Sequence, residues 1–239
     1  MRLTFILASL AALSSISHAA SFDCSKSPEK PAERMICQSD SLSTLDGQLA
    51  VAFKAAIKGA GADASVNDVL KSSQQRWLRY TRDACKNVQC MEKAYVSRIA
   101  FLLQWNEDAP ADNKADGNYH YSHNMDFANG THAVVEDCLN IKSAGNGQAQ
   151  VNTILVQSNG HNCSLNGKFA VAGNTYTYLP GKGENEVQNC QVKLTAKRHH
   201  IILSAVGEGC ASRCGAQASL ANGAGFLRTD RAKQACVAD

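Results

Sequence analysis

The sequence predicts an α+β protein in two parts: a small disulfide-linked helical bundle, then an antiparallel β-barrel or sandwich. Three observations predict it. Ten cysteines divide four and six about a polar stretch. The first half places apolar residues at steps of three and four, the spacing of a helix face. The second alternates short β-branched runs with turn residues, the pattern of strands joined by tight turns. An even set of cysteines in each half, behind a secretory leader, reads as two separately cross-linked exported modules.

The leader comprises Arg2, an apolar run from Leu3 to Ile16, and Ser17-His18-Ala19. A basic start, a short apolar core and small residues at the cut define a signal peptide over residues 1–19, too short to be a membrane span. No second apolar run of spanning length follows. Cys24 follows Ser21-Phe22-Asp23 rather than the small or apolar residues of a lipid-attachment site. The expectation is a periplasmic or secreted protein without a membrane anchor.

The helical module is expected over residues 20–105. Leu42, Leu45, Leu49, Phe53 and Ile57 form one stripe of a helix opening after Pro28 and Pro31 and stopped by Gly59-Ala60-Gly61. Val66, Val69, Leu70, Ser73, Trp77 and Tyr80 form a second, begun after Ser65 and running to about Cys85. Met91, Tyr95, Ile99, Leu102 and Trp105 form a third. If the first two helices pack antiparallel about residue 61, Cys37 falls opposite Cys85, Leu45 opposite Trp77, and Asp46 near Arg76 as a surface pair. Cys24 and Cys90 would then form the second bridge.

Residues 106–118 contain Glu107, Asp108, Pro110, Asp112, Asn113, Lys114, Asp116 and Gly117. With so little apolar content they are expected to be a linker. Beyond it, residues 119–239 read as a cysteine-rich antiparallel β module. Strands are expected at His132 to Ile141, Ala149 to Gln157, Cys163 to Ala172, Thr175 to Leu179, Gln188 to Ala196, His199 to Ala205 and Ala216 to Leu220. Turn residues such as Asn146-Gly147 and Gly173-Asn174 separate them. Cys138, Cys163, Cys190, Cys210, Cys214 and Cys236 staple this module; joining the outermost two, Cys138 to Cys236, fastens its ends, and the other pairings stay open.

Charge excludes one class of partner. Residues 21–116 carry 13 Lys plus Arg against 13 Asp plus Glu, and residues 117–239 carry 10 against 8. Neither half has the basic stripe that binding a phosphate backbone demands, so nucleic acid is not an expected partner. No Gly-x-Ser-x-Gly elbow, His-Glu-x-x-His helix, Ser-x-x-Lys element or phosphate-cradling glycine loop appears, and no cofactor is expected. Cys210 with Cys214, and His120 with His123, have metal-like spacing. In an oxidising compartment, however, the cysteines pair, and the two histidines of an irregular segment lack a third ligand. His199-His200 reads as a solvated turn.

The segments SFDCSKSPEKPAERMICQSDSLSTLDGQLAVAFKAA, QQRWLRYTRDAC and CMEKAYVSRIAFL resemble the lysozyme inhibitor LprI-like N-terminal domain, a short helical, cysteine-paired module. The likeness rests on the four cysteines with Leu45-Asp46, Gln75, Trp77-Leu78, Arg82-Asp83, Tyr95 and Arg98. The later strings CSLNGKFAVAGNTYTY, CQVKLTAK and CASRCGAQASL look like a β module appended to such domains. The resemblance implies a non-enzymatic protein whose partner is a lysozyme, bound and inhibited. Lysozymes work with paired carboxylates, so an inhibitor has to fill the sugar cleft and offer a donor or cation to those acids. Arg213, between Cys210 and Cys214, and Lys182, in a glycine-flanked loop, are the candidate residues. The alternative is a periplasmic immunity or envelope-associated protein that binds a toxin or peptidoglycan.

Overall fold

The computed structural model describes residues 20–26, 28–61, 64–110, 115–181, 189–216, 218–220 and 223–236. The expected leader and Lys182 lie outside them. Pro31, whose ring presets a helical φ, opens α1 (Pro31–Cys37). The chain then breaks at Gln38 and Ser39. Ser39 is extended and its hydroxyl accepts the Leu42 amide to cap α2 (Asp40–Ala60). The single first helix expected from the sequence is therefore two. α3 (Ala64–Trp77) continues into a π-helical turn, Leu78–Arg82. Asn87 caps α4 (Val88–Leu103) by accepting the Cys90 amide at 2.9 Å.

The helices do not pair as expected. α2 packs chiefly along α4 and touches α3 little. The two run parallel, because Ser41 meets Glu92, Asp46 meets Tyr95, and Ala56 meets Asn106 in that order. Asp46 is therefore buried rather than paired with Arg76 at the surface, and Arg76 reaches Asp230 instead. The cysteine assignment fails for the same reason. With α3 not the neighbour of α2, the positions of Cys37 and Cys85 are not brought opposite each other, and each cysteine bonds within its own connection. The bridges are Cys24–Cys37 and Cys85–Cys90, not Cys37–Cys85 and Cys24–Cys90.

The second half is an eight-stranded antiparallel sheet in which each strand pairs with the next in sequence. The strands are β1 (Gly117–Asp126), β2 (His132–Gly145), β3 (Gln148–Val156) and β4 (Asn162–Ala172), then β5 (Thr175–Leu179), β6 (Gln191–Ala196), β7 (His200–Val206) and β8 (Ala224–Leu227). The sheet curls until its ends almost meet. The chain after β8 bridges back to β1, with Tyr119 opposite Arg231 and the Ala232 amide donating to the Asn118 carbonyl at 2.9 Å. The result is a nearly closed barrel filled by inward residues such as Tyr119, Leu139, Val151, Phe169, Leu194 and Phe226. Asn146 and Gly147 both take positive φ between β2 and β3, as the tight hairpin signalled by that dipeptide requires.

Two elements differ from expectation. The segment around His120 and His123 is not irregular but forms β1. Its inward Tyr119 and Tyr121 alternate with polar neighbours, so its mean composition looks like loop. Conversely, no strand is seen among the described residues of 216–220. Ala218 and Leu220 are apolar because they are buried in irregular chain, and the eighth strand lies at Ala224–Leu227. Cys138–Cys236 forms as expected and straps the end of the chain across β2; Cys163–Cys214 and Cys190–Cys210 complete the set.

Helices and barrel share an interface. Trp105 stacks on His200 with ring centroids 4.1 Å apart, and Phe101 lies 4.3 Å from the His199 ring. Around them Ser72 hydrogen-bonds Tyr121 at 2.9 Å, Arg76 pairs with Asp230 at 2.5 Å, and Lys197 pairs with Asp108 at 2.7 Å.

Candidate functional site

Most of the residues that carry the family resemblance build the inside of the helical unit. Asp46 is 3 % exposed; it accepts the Tyr95 hydroxyl at 2.6 Å and the Ser21 amide at 2.7 Å. Burial, and then the hydrogen bond and charge of Asp46, hold the Tyr95 phenol protonated well above the usual range. Trp77 meets the Tyr95 ring edge-on at 5.3 Å. Arg82 is buried between Asp83, at 2.7 Å, and Glu33, at 3.8 Å. Its burial disfavours the cation, but hydrogen bonding and charge from Asp83 outweigh that and raise its pKa.

Arg98 is the exception. It projects from α4 and is only 7 % exposed. Its Nε donates to Gln74 Oε1 at 2.9 Å, and its guanidinium carbon sits 4.6 Å from the centre of the Phe101 ring. Its Nη2 is buried without a hydrogen-bond partner, and no carboxylate among the described residues pairs with it. Burial, with the positive charge of Arg76 added, lowers its pKa to about 10, so it remains a cation at neutral pH.

This guanidinium lines a cleft of about 650 Å³ between α3, the π-helical turn, α4 and the end of β8. Trp77, Tyr80 and Phe101 supply aromatic surface, and Arg76 and Lys93 add charge at the mouth. Arg76 is matched by Asp230, whereas Lys93 has no ion-pair partner among the described residues. A cleft of that volume suits a small ligand. A desolvated guanidinium, with its fixed fork of donors, suits an oxyanion.

The residues singled out in the sequence are dispersed. Arg213 ends a 3-10 segment, Glu208–Arg213, flanked by Cys190–Cys210 and Cys163–Cys214; its Nη2 donates to the Tyr178 hydroxyl at 2.9 Å. Lys182 lies outside the described residues. His120 and His123 sit on opposite faces of β1, bonded to Glu136 at 2.7 Å and Asp137 at 3.1 Å. The hydrogen bond that His123 donates to Asp137 raises the His123 pKa against its partial burial. His200 is not solvated: it is 1 % exposed, and burial, then the charges of Lys197 and His199, push its pKa down to about 3. Among the described residues no three His, Cys, Asp or Glu side chains are grouped as metal ligands.

The sequence reading missed the cleft. One signal was present: Tyr95, Arg98 and Leu102 step by three and four, which places an arginine in the buried stripe of α4 with no acidic residue one turn away on either side.

Fold and disulfides together define a cross-linked two-part protein, helical unit first and antiparallel barrel second. Residues 24–105, the helical part, match the family model described as lysozyme inhibitor LprI, an inhibitor family and not an enzyme family. No curated protein and no solved structure matches the chain.

Proposed function

We propose that this is an exported, disulfide-stabilised protein that binds and inhibits a lysozyme. The observation that carries the reading is the LprI match over residues 24–105. It is supported by five disulfides with no free cysteine among the described residues, the pattern of a protein that works outside the reducing cytosol. In this reading Arg213, on its doubly clamped segment, is the cation offered to the lysozyme's acids, and Lys182 between its flanking glycines is the second.

After the leader is removed the net charge is +2, the Lys and Arg of residues 21–239 exceeding their Asp and Glu by two. Long-range attraction to a basic lysozyme is therefore absent, and the complex depends on fit and short-range contacts. The test is to titrate the oxidised mature protein against several lysozyme types while following cell-wall lysis. Stoichiometric suppression of one type is expected, and an Arg213→Ala variant with an unchanged melting temperature should inhibit at least tenfold less well. No suppression at micromolar excess over every type would overturn the proposal.

A further inference from the structure

We infer that the cleft between α3, α4 and β8 is a binding site for a carboxylated saccharide, its carboxylate received by Arg98 and its ring lying against the aromatic walls. The starting observation is a charge without a counter-charge. A guanidinium almost withdrawn from water is costly unless an anion pairs with it. Arg82, on the preceding turn, shows the ordinary solution, since it is buried between Asp83 and Glu33. Arg98 has the amide oxygen of Gln74 and the face of Phe101 but no carboxylate among the described residues. The anion that would complete its coordination has to come from outside, and the cleft is the route to it.

The lining indicates what carries that anion. Tyr80, in the middle of the π-helical turn, is 67 % exposed. It offers exposed aromatic surface to the cleft, with the Arg79 guanidinium 5.9 Å from its ring centre and Trp77 and Phe101 on the same lining. Interleaved with these rings are the hydroxyl side chains of Ser73, Thr81, Ser97 and Thr229. Apolar faces alternating with hydroxyls match a sugar, whose ring presents C–H faces and an equatorial rim of hydroxyls. A bare inorganic anion would leave the aromatic walls unused. A cleft of about 650 Å³ takes a group of drug-like size, so a saccharide fits it better than an extended protein surface does. The lysine at the mouth, Lys93, adds a second cation without a partner among the described residues, so the field favours an anion before it reaches Arg98.

This assignment stands on the cleft alone and is tested without any lysozyme, so a failed inhibition assay leaves it intact. The oxidised full-length mature protein is titrated calorimetrically with two matched pairs: glucuronate against glucose, and N-acetylmuramic acid against N-acetylglucosamine. At least one acid should bind in the micromolar to millimolar range, and its neutral partner at least tenfold more weakly. Which pair responds separates a uronic acid from a lactyl-ether acid as the source of the carboxylate. Arg98→Met should lower affinity at least tenfold with the thermal midpoint unchanged or raised, because an unpaired buried charge has been removed. Should that variant fail to fold, Tyr80→Ala, at an exposed position, should lower affinity severalfold. Absence of binding by both acids, equal binding of acid and neutral sugar, or full affinity in a folded Arg98→Met protein would each overturn the inference. Binding of an acetylated glutamate peptide in preference to both sugars would do so too.

Discussion

Acidification should loosen the joint between helices and barrel, and His200 sets the size of the effect. Its ring is stacked on Trp105, its Nδ1 is buried without a hydrogen bond, and its pKa is held near 3. In the unfolded chain the same imidazole titrates near about 6.5. A depressed pKa means that the unfolded state binds the proton more readily. The stability contributed is therefore fully present above about pH 6.5 and is lost progressively as pH falls through the interval down to about 3. Between pH 7 and pH 5 the linkage relation gives a loss of about 2 kcal/mol for this one group. The comparison is His200→Phe, which keeps a flat ring against Trp105 and removes the titration. Urea unfolding of both proteins at pH 7 and pH 5 should show the parent losing about 2 kcal/mol more than the variant. The carboxylates, His199 and His123 are common to both proteins and cancel in that difference, although the raised pKa of His123 works in the opposite direction. Equal losses in the two proteins would show that His200 is not buried neutral at this interface.

Three other perturbations test the frame. Tyr95→Phe removes the buried hydroxyl that Asp46 accepts at 2.6 Å and should cost about 1.5–3 kcal/mol in urea unfolding, the range for a hydrogen bond to a charged group; a loss under about 0.5 kcal/mol would contradict the placement of that pair. Replacing Cys138 and Cys236 together by serine opens a loop of sequence separation 98 and should cost about 4–5 kcal/mol. The same double variant should speed amide exchange at His120, whose N–H donates to the Asp230 carbonyl at 3.3 Å where the barrel closes. Gly207→Ala places a Cβ 1.4 Å from the Asn189 carbonyl oxygen at a φ of +121°, so the chain beside Cys190 must move. A drop in melting temperature of several degrees is expected, and an unchanged melt would contradict the placement of that turn.

The parts of this fold that were legible in the sequence are those governed by local periodicity. Steps of three and four found the helices, and alternation with Asn-Gly and Gly-Asn turns found six of the eight strands. What local periodicity does not encode is which helix face meets which. Short connections favour packing between consecutive helices, but Asp46 needs a buried donor, and Tyr95 on α4 provides it. That contact draws α2 to α4 and leaves Arg76 free to join the barrel at Asp230. The cysteine pairing followed the wrong neighbour for this reason alone. β1 was hidden by a related effect: its inward positions hold tyrosines and its outward ones histidine, serine and asparagine, so only the alternation, and not the composition, marks it as a strand.

The candidate site shows why a motif residue cannot be assigned a role from its type. Arg82 and Arg98 are both among the residues that carry the resemblance, and both are nearly withdrawn from solvent. Arg82 is followed directly by Asp83, so its charge is answered within the chain and its role is structural. Arg98 has alanine, tyrosine, phenylalanine and leucine at the positions three and four away, none of which can answer a cation. Its surroundings become a site only when the end of β8 and the turn after it, about 130 residues later in the chain, close the far wall with Leu227 and Thr229. The unpaired charge is thus written locally, but the cleft beside it exists only in the assembled pair of units. If the two halves were separated, Arg98 would lose that wall, and the affinity assigned to the cleft should vanish while the helical unit keeps its own two disulfides.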